Sequence, residues 1–261
     1  VLITGASFGI GRALAVRLGR SGARLLLVAR SREALDETVR EITAAGGEAR
    51  AVCLDLKDPS AIDRFCADLA AEKAQIEIVV HNAGKSIRRL VTESLDRPHD
   101  LERLMAVNCL GPARLQLALL PAMIARGTGH IINVSSLGVR LPAAPRWGAY
   151  TASKGAFDHW LRAASPELRR RGIFCTSVYL GLVHTRMSAP TESYRELPGL
   201  TPDEAALVVC RAIVRRPRCV EPWWLAPARW FAPWCGGAVE TAWRLVLPAP
   251  GGRLPGGETK K

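Results

Sequence analysis

Tyr150 and Lys154 stand four residues apart in Tyr150-Thr151-Ala152-Ser153-Lys154, a spacing that puts both on one face of a helix. A phenol and an ammonium presented together suit acid catalysis. A free tyrosine titrates at roughly 10, too high for a proton shuttle near neutrality, and an adjacent ammonium stabilises the phenolate and lowers that value. Tyr and Lys at this spacing also decorate ordinary helix surfaces. What separates this pair from decoration is Ser135-Ser136, which closes an apolar run from His130 to Val134. Such a run reads as a buried parallel strand, and ligands of open α/β sheets bind beyond the carboxyl ends of those strands.

The start of the chain offers a second chemistry. Thr4-Gly5-Ala6-Ser7-Phe8-Gly9-Ile10-Gly11-Arg12 is a G-x-x-x-G-x-G turn that follows a short apolar run and opens a helical pattern. Glycines let the backbone turn tightly and approach a pyrophosphate, which the free N–H groups and dipole of a helix start then hold. Gly-Lys-Ser/Thr is missing, so this is not a Walker loop. At the end of the second apolar run stands Ala29-Arg30-Ser31-Arg32, where a carboxylate would serve the ribose hydroxyls of NAD. Arg30 instead suits charge-assisted hydrogen bonds to a 2′-phosphate, with Ser31 adding a neutral one, so NADP(H) is the expected cofactor. The competing reading is that Arg30 and Arg32 are solvated charges at a helix start.

Elements that could position these groups recur along the chain. Apolar runs at Val1 to Thr4, Arg24 to Ala29, Glu48 to Cys53, Glu77 to Val80, His130 to Val134 and Ile173 to Tyr179 read as buried strands. Amphipathic segments such as Ser31 to Ala45 and Pro98 to Arg126 are long enough to be crossover helices. The pattern predicts a doubly wound, Rossmann-type parallel sheet in three layers, α/β/α, as one domain over residues 1–217. Residues 186–200, with Met187, Pro190, Tyr194 and Leu197, read as a movable apolar cover for the substrate, and a capping box at Thr201 to Glu204 restarts the helix. Residues 218–261 form a Trp-, Pro- and Gly-rich extension whose end is expected to be disordered.

Together Thr4 to Gly11, His81-Asn82-Ala83-Gly84, Asn108, Ser136, Tyr150-x-x-x-Lys154 and Gly181-x-Val183-x-Thr185 resemble the ordered motif set of short-chain dehydrogenases/reductases. The resemblance implies that Ser136 polarises a carbonyl oxygen, that Tyr150 gives or takes its proton, and that Lys154 holds the nicotinamide ribose and tunes Tyr150. Asn108 would anchor a water of the proton relay. For the cofactor it implies Gly5, Ser7, Gly9, Ile10 and Gly11 at the pyrophosphate, and Asp55, with Leu56 beside it, at the adenine. Asn82, Ala83 and Gly84 would line the site, and Val183 and Thr185 would hold the carboxamide. His81 and Leu180 depart from the motif as packing variations. Ser136 precedes Tyr150 by fourteen residues, one more than usual, which an insertion in Leu141 to Pro145 would absorb; Ser136 is preferred to Ser135. His184 is read as structural.

Pro198 to Ala206, with Arg216-Pro217 closing the helix, also resembles bacterial fatty acyl-CoA reductases of the same superfamily. The expected activity is hydride transfer between NADPH and a carbonyl or alcohol carbon of an apolar, lipid-like small molecule. Reduction of acyl-CoA to aldehyde is one alternative. A non-catalytic NADP-binding module is another, opposed by the complete set of Asn108, Ser136, Tyr150 and Lys154. A net charge of +12 favours anionic partners, yet no nucleic-acid reader motif is present. Seven cysteines, odd in number and without C-x-x-C, predict reduced thiols and no metal site. No uninterrupted apolar stretch reaches membrane-spanning length, Leu115 to Ala125 being broken by Gln116 and Pro121. A cytoplasmic homodimer or homotetramer is expected. The tryptophans of the tail are candidates for peripheral membrane contact or for burial in a second subunit. The chain opens inside a strand and without Met, so the native N-terminus is expected to lie upstream.

Overall fold

In the computed structural model, which describes residues 1–141 and 144–225 and the single positions 227, 230, 237, 241, 243 and 245, seven parallel strands form one sheet. They run β1 (Leu2–Thr4), β2 (Arg24–Ala29), β3 (Glu48–Cys53), β4 (Ile78–His81), β5 (Gly129–Ser136), β6 (Ile173–Leu180) and β7 (Cys219–Val220), in the spatial order β3-β2-β1-β4-β5-β6-β7. The order reverses between β1 and β4, which is the switch point where ligands of such sheets bind. β7 is two residues long and pairs with Ser177 and Val178; so short an edge leaves no apolar run to read in the sequence.

The strands are apolar on both faces because both faces are covered. In β2, Leu25, Leu27 and Ala29 enter one core while Leu26 and Val28 enter the other. Helices α1 (Gly9–Arg20), α2 (Arg32–Ala44) and α7 (Pro202–Arg215) cover the first face through Leu14, Leu35, Ile42 and Val209. Helices α3 (Pro59–Ala71), α5 (Gly111–Arg126) and α6 (Gly148–Arg169) cover the second through Phe65, Leu115, Met123 and Leu161. Local chemistry sets their ends. The Asp58 carboxylate accepts from the Ala61 N–H at 3.0 Å to start α3, Thr201 and Glu204 form a reciprocal capping box on α7, and Gly127 at φ 68° ends α5.

Helix α4 (Pro98–Met105), a π turn (Ala106–Leu110) and α5 join into one run of 29 residues, Pro98–Arg126, which by length and composition could cross a membrane. A search for uninterrupted apolar residues passes over it because of Gln116 and Pro121. Here the run is the crossover from β4 to β5. Leu115, Leu119 and Met123 face the core, while Leu110, Leu117 and Ile124 are exposed along the outer side. Its bend rests on close packing: a Cβ on Gly111 would lie 2.2 Å from the Leu56 carbonyl oxygen. Gly111→Ala should therefore cost about 1–3 kcal/mol, a fall in thermal midpoint of roughly 2–12 °C for a chain of this size. Gly148→Ala, whose Cβ meets nothing within 4 Å, serves as the neutral control. Equal midpoints for the two variants in a thermal scan would mean that the α5 start does not depend on this contact.

Candidate active site

The turn after β1 is tied to the end of β4 before it can hold anything. Thr4 Oγ1 accepts from the N–H groups of Asn82 and Ala83, each at 3.1 Å, and Asn82 Nδ2 donates to the carbonyls of Thr4 and Gly5 at 3.0 and 3.2 Å. Gly5 (φ 69°) and Gly9 (φ 55°) make the left-handed bends that favour glycine. Gly11 allows the closest approach, since its Cβ would stand 2.2 Å from the Gly5 carbonyl. Helix α1 then begins with no side-chain cap and no acidic residue in its first turn. Its free N–H groups open beside Ser7, Gly9 and Ile10 into a cavity of about 1240 Å³. An uncapped helix start over a glycine floor fits a pyrophosphate, so the residues present suit a dinucleotide.

At the far end of that floor Arg30 is exposed, lines the cavity and enters no ion pair among the described residues. Ser31 is more occupied than the sequence suggests: its hydroxyl caps α2 by accepting from the Ala34 N–H at 3.4 Å and meets Glu33 Oε2 at 3.2 Å. Lys57, beside Leu56, adds a cation paired with Asp55 at 3.4 Å. Asp55 and Leu56 line the same end, and Val183 and Thr185 the opposite one. Thr185 also limits Gly9, whose Cβ would lie 3.1 Å from the threonine methyl.

The structure brings Ser136, Tyr150 and Lys154 together at the carboxyl end of β5. Lys154 is buried, and its ammonium donates to the Val134 carbonyl at 3.0 Å. Gly84 packs closely beside it, since a Cβ there would lie 3.2 Å from Lys154 Nζ. Burial pushes the ammonium down to about 8. Tyr150 differs from the expected lowering: burial pushes its phenol above the ordinary value, a hydrogen bond with Ser136 opposes the rise, and Tyr194 adds to it. The ammonium is committed to Val134 rather than to the phenol. Ser136 Oγ also accepts from the Gly138 N–H at 3.2 Å, whereas Ser135 Oγ is buried with no hydrogen-bond partner among the described residues.

Asn108 lies in the π turn, behind the cavity wall rather than in it. Its Nδ2 donates to the Lys85 carbonyl and to Ser153 Oγ, and its Oδ1 accepts from the Lys85 N–H, all at 2.9 Å. With both amide hydrogens used, the side chain fastens the segment after Gly84 to α6. Neighbouring Val107 is the residue that reaches the cavity. His81 is a buried neutral ring, held at 2.9 Å from Gln116 Oε1 and pushed down to about 4 by burial. His184 is exposed and reaches toward Gly199, and Leu180 is core.

On the substrate side the cavity wall is apolar and aromatic. Trp147 packs edge-on to Tyr150 at 5.5 Å and stacks on Tyr194 of the 186–200 loop at 6.2 Å, while Leu137, Leu141, Leu182 and Met187 complete the lining. Arg186 lies over the Phe8 ring at 3.8 Å, joining the loop to the phosphate turn. Trp147 was not singled out in the sequence; its position three residues before Tyr150, on the same helical face, was the available signal. Trp243 also lines the cavity, so one tryptophan of the 218–261 stretch reaches it. Trp223 and Trp230 are exposed, and Trp234 and most of the tail lie outside the described residues. The described cysteines are free thiols, and no group of His, Cys, Asp or Glu among the described residues could hold a metal.

Comparison with known proteins gives this geometry its relatives. The family model described as short chain dehydrogenase matches residues 1–196. A fatty acyl-CoA reductase of Acinetobacter baylyi is 48% identical over 217 residues, covering 83% of this chain and 73% of the relative. A fatty acyl-CoA reductase of Mycobacterium tuberculosis is 42% identical over 222 residues, covering 85% and 76%. Among solved structures, a short-chain dehydrogenase from Sphingobium yanoikuyae in complex with NADPH superposes with a TM-score of 0.79 at 28% identity, over 96% of this chain and 97% of that one. A metagenomic short-chain oxidoreductase in complex with NADP gives 0.70 at 36% identity, over 81% and 88%.

The buried ammonium makes a stability prediction. Lys154 binds its proton less tightly folded than unfolded, so the unfolded chain holds more protons between about 8 and the free value, and stability rises with pH across that window. Lys154→Met should stabilise the cofactor-free protein at pH 7 by up to about 3 kcal/mol, read as a higher thermal midpoint. The gain should shrink as pH approaches 10. A midpoint lowered equally at both pH values would show that the ammonium is not destabilising.

Proposed function

The chain belongs to the short chain dehydrogenase family and is an oxidoreductase, and we propose that it uses NADPH to reduce long-chain acyl thioesters to aldehydes. The observation that carries the reading is Ser136 and Tyr150 meeting at the head of a cavity of about 1240 Å³ whose far wall is apolar. That exceeds the roughly 300–1,000 Å³ of a site for one small ligand, leaving space for an acyl chain beside a dinucleotide. The names of the relatives from A. baylyi and M. tuberculosis support the thioester, and the NADP and NADPH bound in the structural neighbours support the cofactor.

NADPH, when bound, supplies a hydride to the carbonyl carbon. The uncapped start of α1 and Arg30 would hold its phosphates, and Lys154, beside Gly84, would hold its ribose. Ser136 Oγ donates to the carbonyl oxygen and so favours charge building there. Tyr150, kept protonated at neutral pH by its burial, gives its proton to that oxygen, and a hemithioacetal results. When the C–S bond breaks, the hydroxyl proton returns to Tyr150 and the thiolate takes a proton from solvent. The net change is one thioester, one hydride and one proton in, one aldehyde and one thiol out. Trp147, Tyr194 and Met187 exclude water from the reacting carbon.

With dodecanoyl-CoA, loss of NADPH absorbance should match free thiol one for one, and Tyr150→Phe should lower turnover by about two to four orders of magnitude while cofactor binding persists. NADPH oxidised on simple ketones or aldehydes, with no thiol released from acyl-CoA, would overturn the thioester assignment. Arg30→Asp should weaken NADPH binding roughly ten- to a hundredfold, the scale of one charge-assisted hydrogen bond, and move preference toward NADH. Unchanged NADPH affinity in a fluorescence titration would reduce Arg30 to a solvated surface charge.

A further inference from the structure

The cofactor's phosphates leave three cations of the cavity without an assignment. Lys85, Arg88 and Arg146 line it on the Tyr150 side, beyond Gly84, whereas Arg30 and the start of α1 serve the opposite side. None of the three enters an ion pair among the described residues. Their neighbours behave differently: Arg89 and Arg97 both turn to the Asp100 carboxylate. Asp55, at the far end and already paired with Lys57, is the one acidic residue among the described residues of the lining.

These cations are built into the rim rather than scattered over it. The Lys85 backbone is clamped through its N–H and its carbonyl by Asn108, each at 2.9 Å. The Arg89 N–H donates to the Arg146 carbonyl at 2.8 Å, joining the segment after Gly84 to the loop before α6. Arg146 is held at φ 69°, a left-handed conformation that a long side chain rarely adopts, one residue before the Trp147 that packs on Tyr150. A strained arginine, a clamped lysine and the exposed Arg88 thus converge where the cavity opens past the apolar wall.

We propose that Lys85, Arg88 and Arg146 seat the phosphates of a coenzyme A thioester, so that its nucleotide rests on this rim while its acyl chain lies along Trp147 and Tyr194. The inference rests on the reading of the protein as a thioester reductase. Charge-assisted contacts from guanidinium and ammonium groups suit phosphate oxygens, and at a rim where Arg88 is exposed and Lys85 and Arg146 are half-buried each contact is modest, so the seat acts on binding rather than on chemistry. It also gives part of the excess positive charge of the chain a location.

The test compares dodecanoyl-CoA with the dodecanoyl thioester of N-acetylcysteamine, which carries the same reacting carbon and no phosphate. Wild type should show a lower KM for the CoA ester. The double variant Lys85→Gln with Arg88→Gln should raise that KM roughly tenfold, with kcat, the KM for NADPH and the KM for the phosphate-free thioester unchanged. Arg146→Asn, which tolerates the left-handed backbone, should act in the same direction, and added salt should weaken wild type toward the variants. Equal KM values for the two thioesters in wild type, or variants that weaken both alike, would overturn the seat while thioester reduction stands. A protein that reduces neither thioester yet consumes NADPH with free aldehydes would instead overturn the reading beneath it.

Discussion

An ammonium removed from bulk water sets the terms for the rest of this site. Isolated, a buried cation costs several kcal/mol, and Lys154 is tolerated because the Val134 carbonyl accepts from it at 3.0 Å. That bond fixes the first turns of α6 against β5. One turn further the docking is repeated by a buried carboxylate, Asp158, which accepts from Ser177 at 2.6 Å, from Tyr179 at 2.9 Å and from Asn133 at 3.2 Å. Phe157, Leu161 and Leu168 supply the apolar part of the same contact. Helix α6 therefore carries a satisfied polar seam through an otherwise apolar interface. A seam of this kind admits one register, because sliding by a residue would leave both charges without partners. The position of Tyr150 follows from that register.

The backbone departs from regular geometry where the function is concentrated. The bends at Gly5 and Gly9 open the glycine turn, the π turn at Ala106–Leu110 turns Asn108 inward, and the left-handed Arg146 precedes α6. The first two are held by side-chain bonds, from Thr4 and Asn82 at the glycine turn and from Asn108 to Lys85 and Ser153 at the π turn, and the third by the Arg89 N–H on the Arg146 carbonyl. A regular α-helix through Asn108 would rotate its amide away from Lys85, and the segment after Gly84 would lose both of its fastenings. The shape of the cavity thus depends in part on residues outside its lining, Thr4, Asn108 and Ser153 among them.

Much of this organisation was legible in the sequence, and the reason lies in how parallel sheets bury their strands. Leu25 to Ala29 is apolar at every position because two cores claim alternate residues, so the strand announces itself without periodicity. The glycine turn and the pair of Tyr150 and Lys154 are local in sequence and survive as patterns. What stayed hidden depends on long-range contact. Ser31 looked available for a phosphate, yet its hydroxyl is occupied within its own helix cap. Asn108 was legible as a motif residue, but not that both of its amide hydrogens go to Lys85 and Ser153. The phenol of Tyr150 looked lowered by Lys154, but the ammonium is turned to Val134, and burial decides the direction. Trp147 escaped notice because its partners, Tyr150 and Tyr194, lie on different elements.

Charge shows the same division between what composition can and cannot say. A value of +12 is legible from a count, but it does not distinguish a chain wrapped in solvated arginines from one whose cations are gathered. Many of the cations are paired locally, as in Arg12 with Glu41, Arg50 with Glu72 and Arg114 with Asp63, and such pairs leave the excess to the cations that have no carboxylate beside them. Within the cavity the balance is different. Arg30 stands at one end, Lys85, Arg88 and Arg146 at the other, and between them the start of α1 adds the partial positive charge of its unpaired N–H groups. With one carboxylate among the described residues of its wall, and that one paired, the cavity presents an almost uniformly positive path around a hydride-transfer site. Such a path attracts polyanions through long-range field, while the apolar wall of Leu137, Trp147 and Met187 selects what they carry. Charge and apolar surface therefore fall to different residues of the wall, and either could change without disturbing the contact between Ser136 and Tyr150.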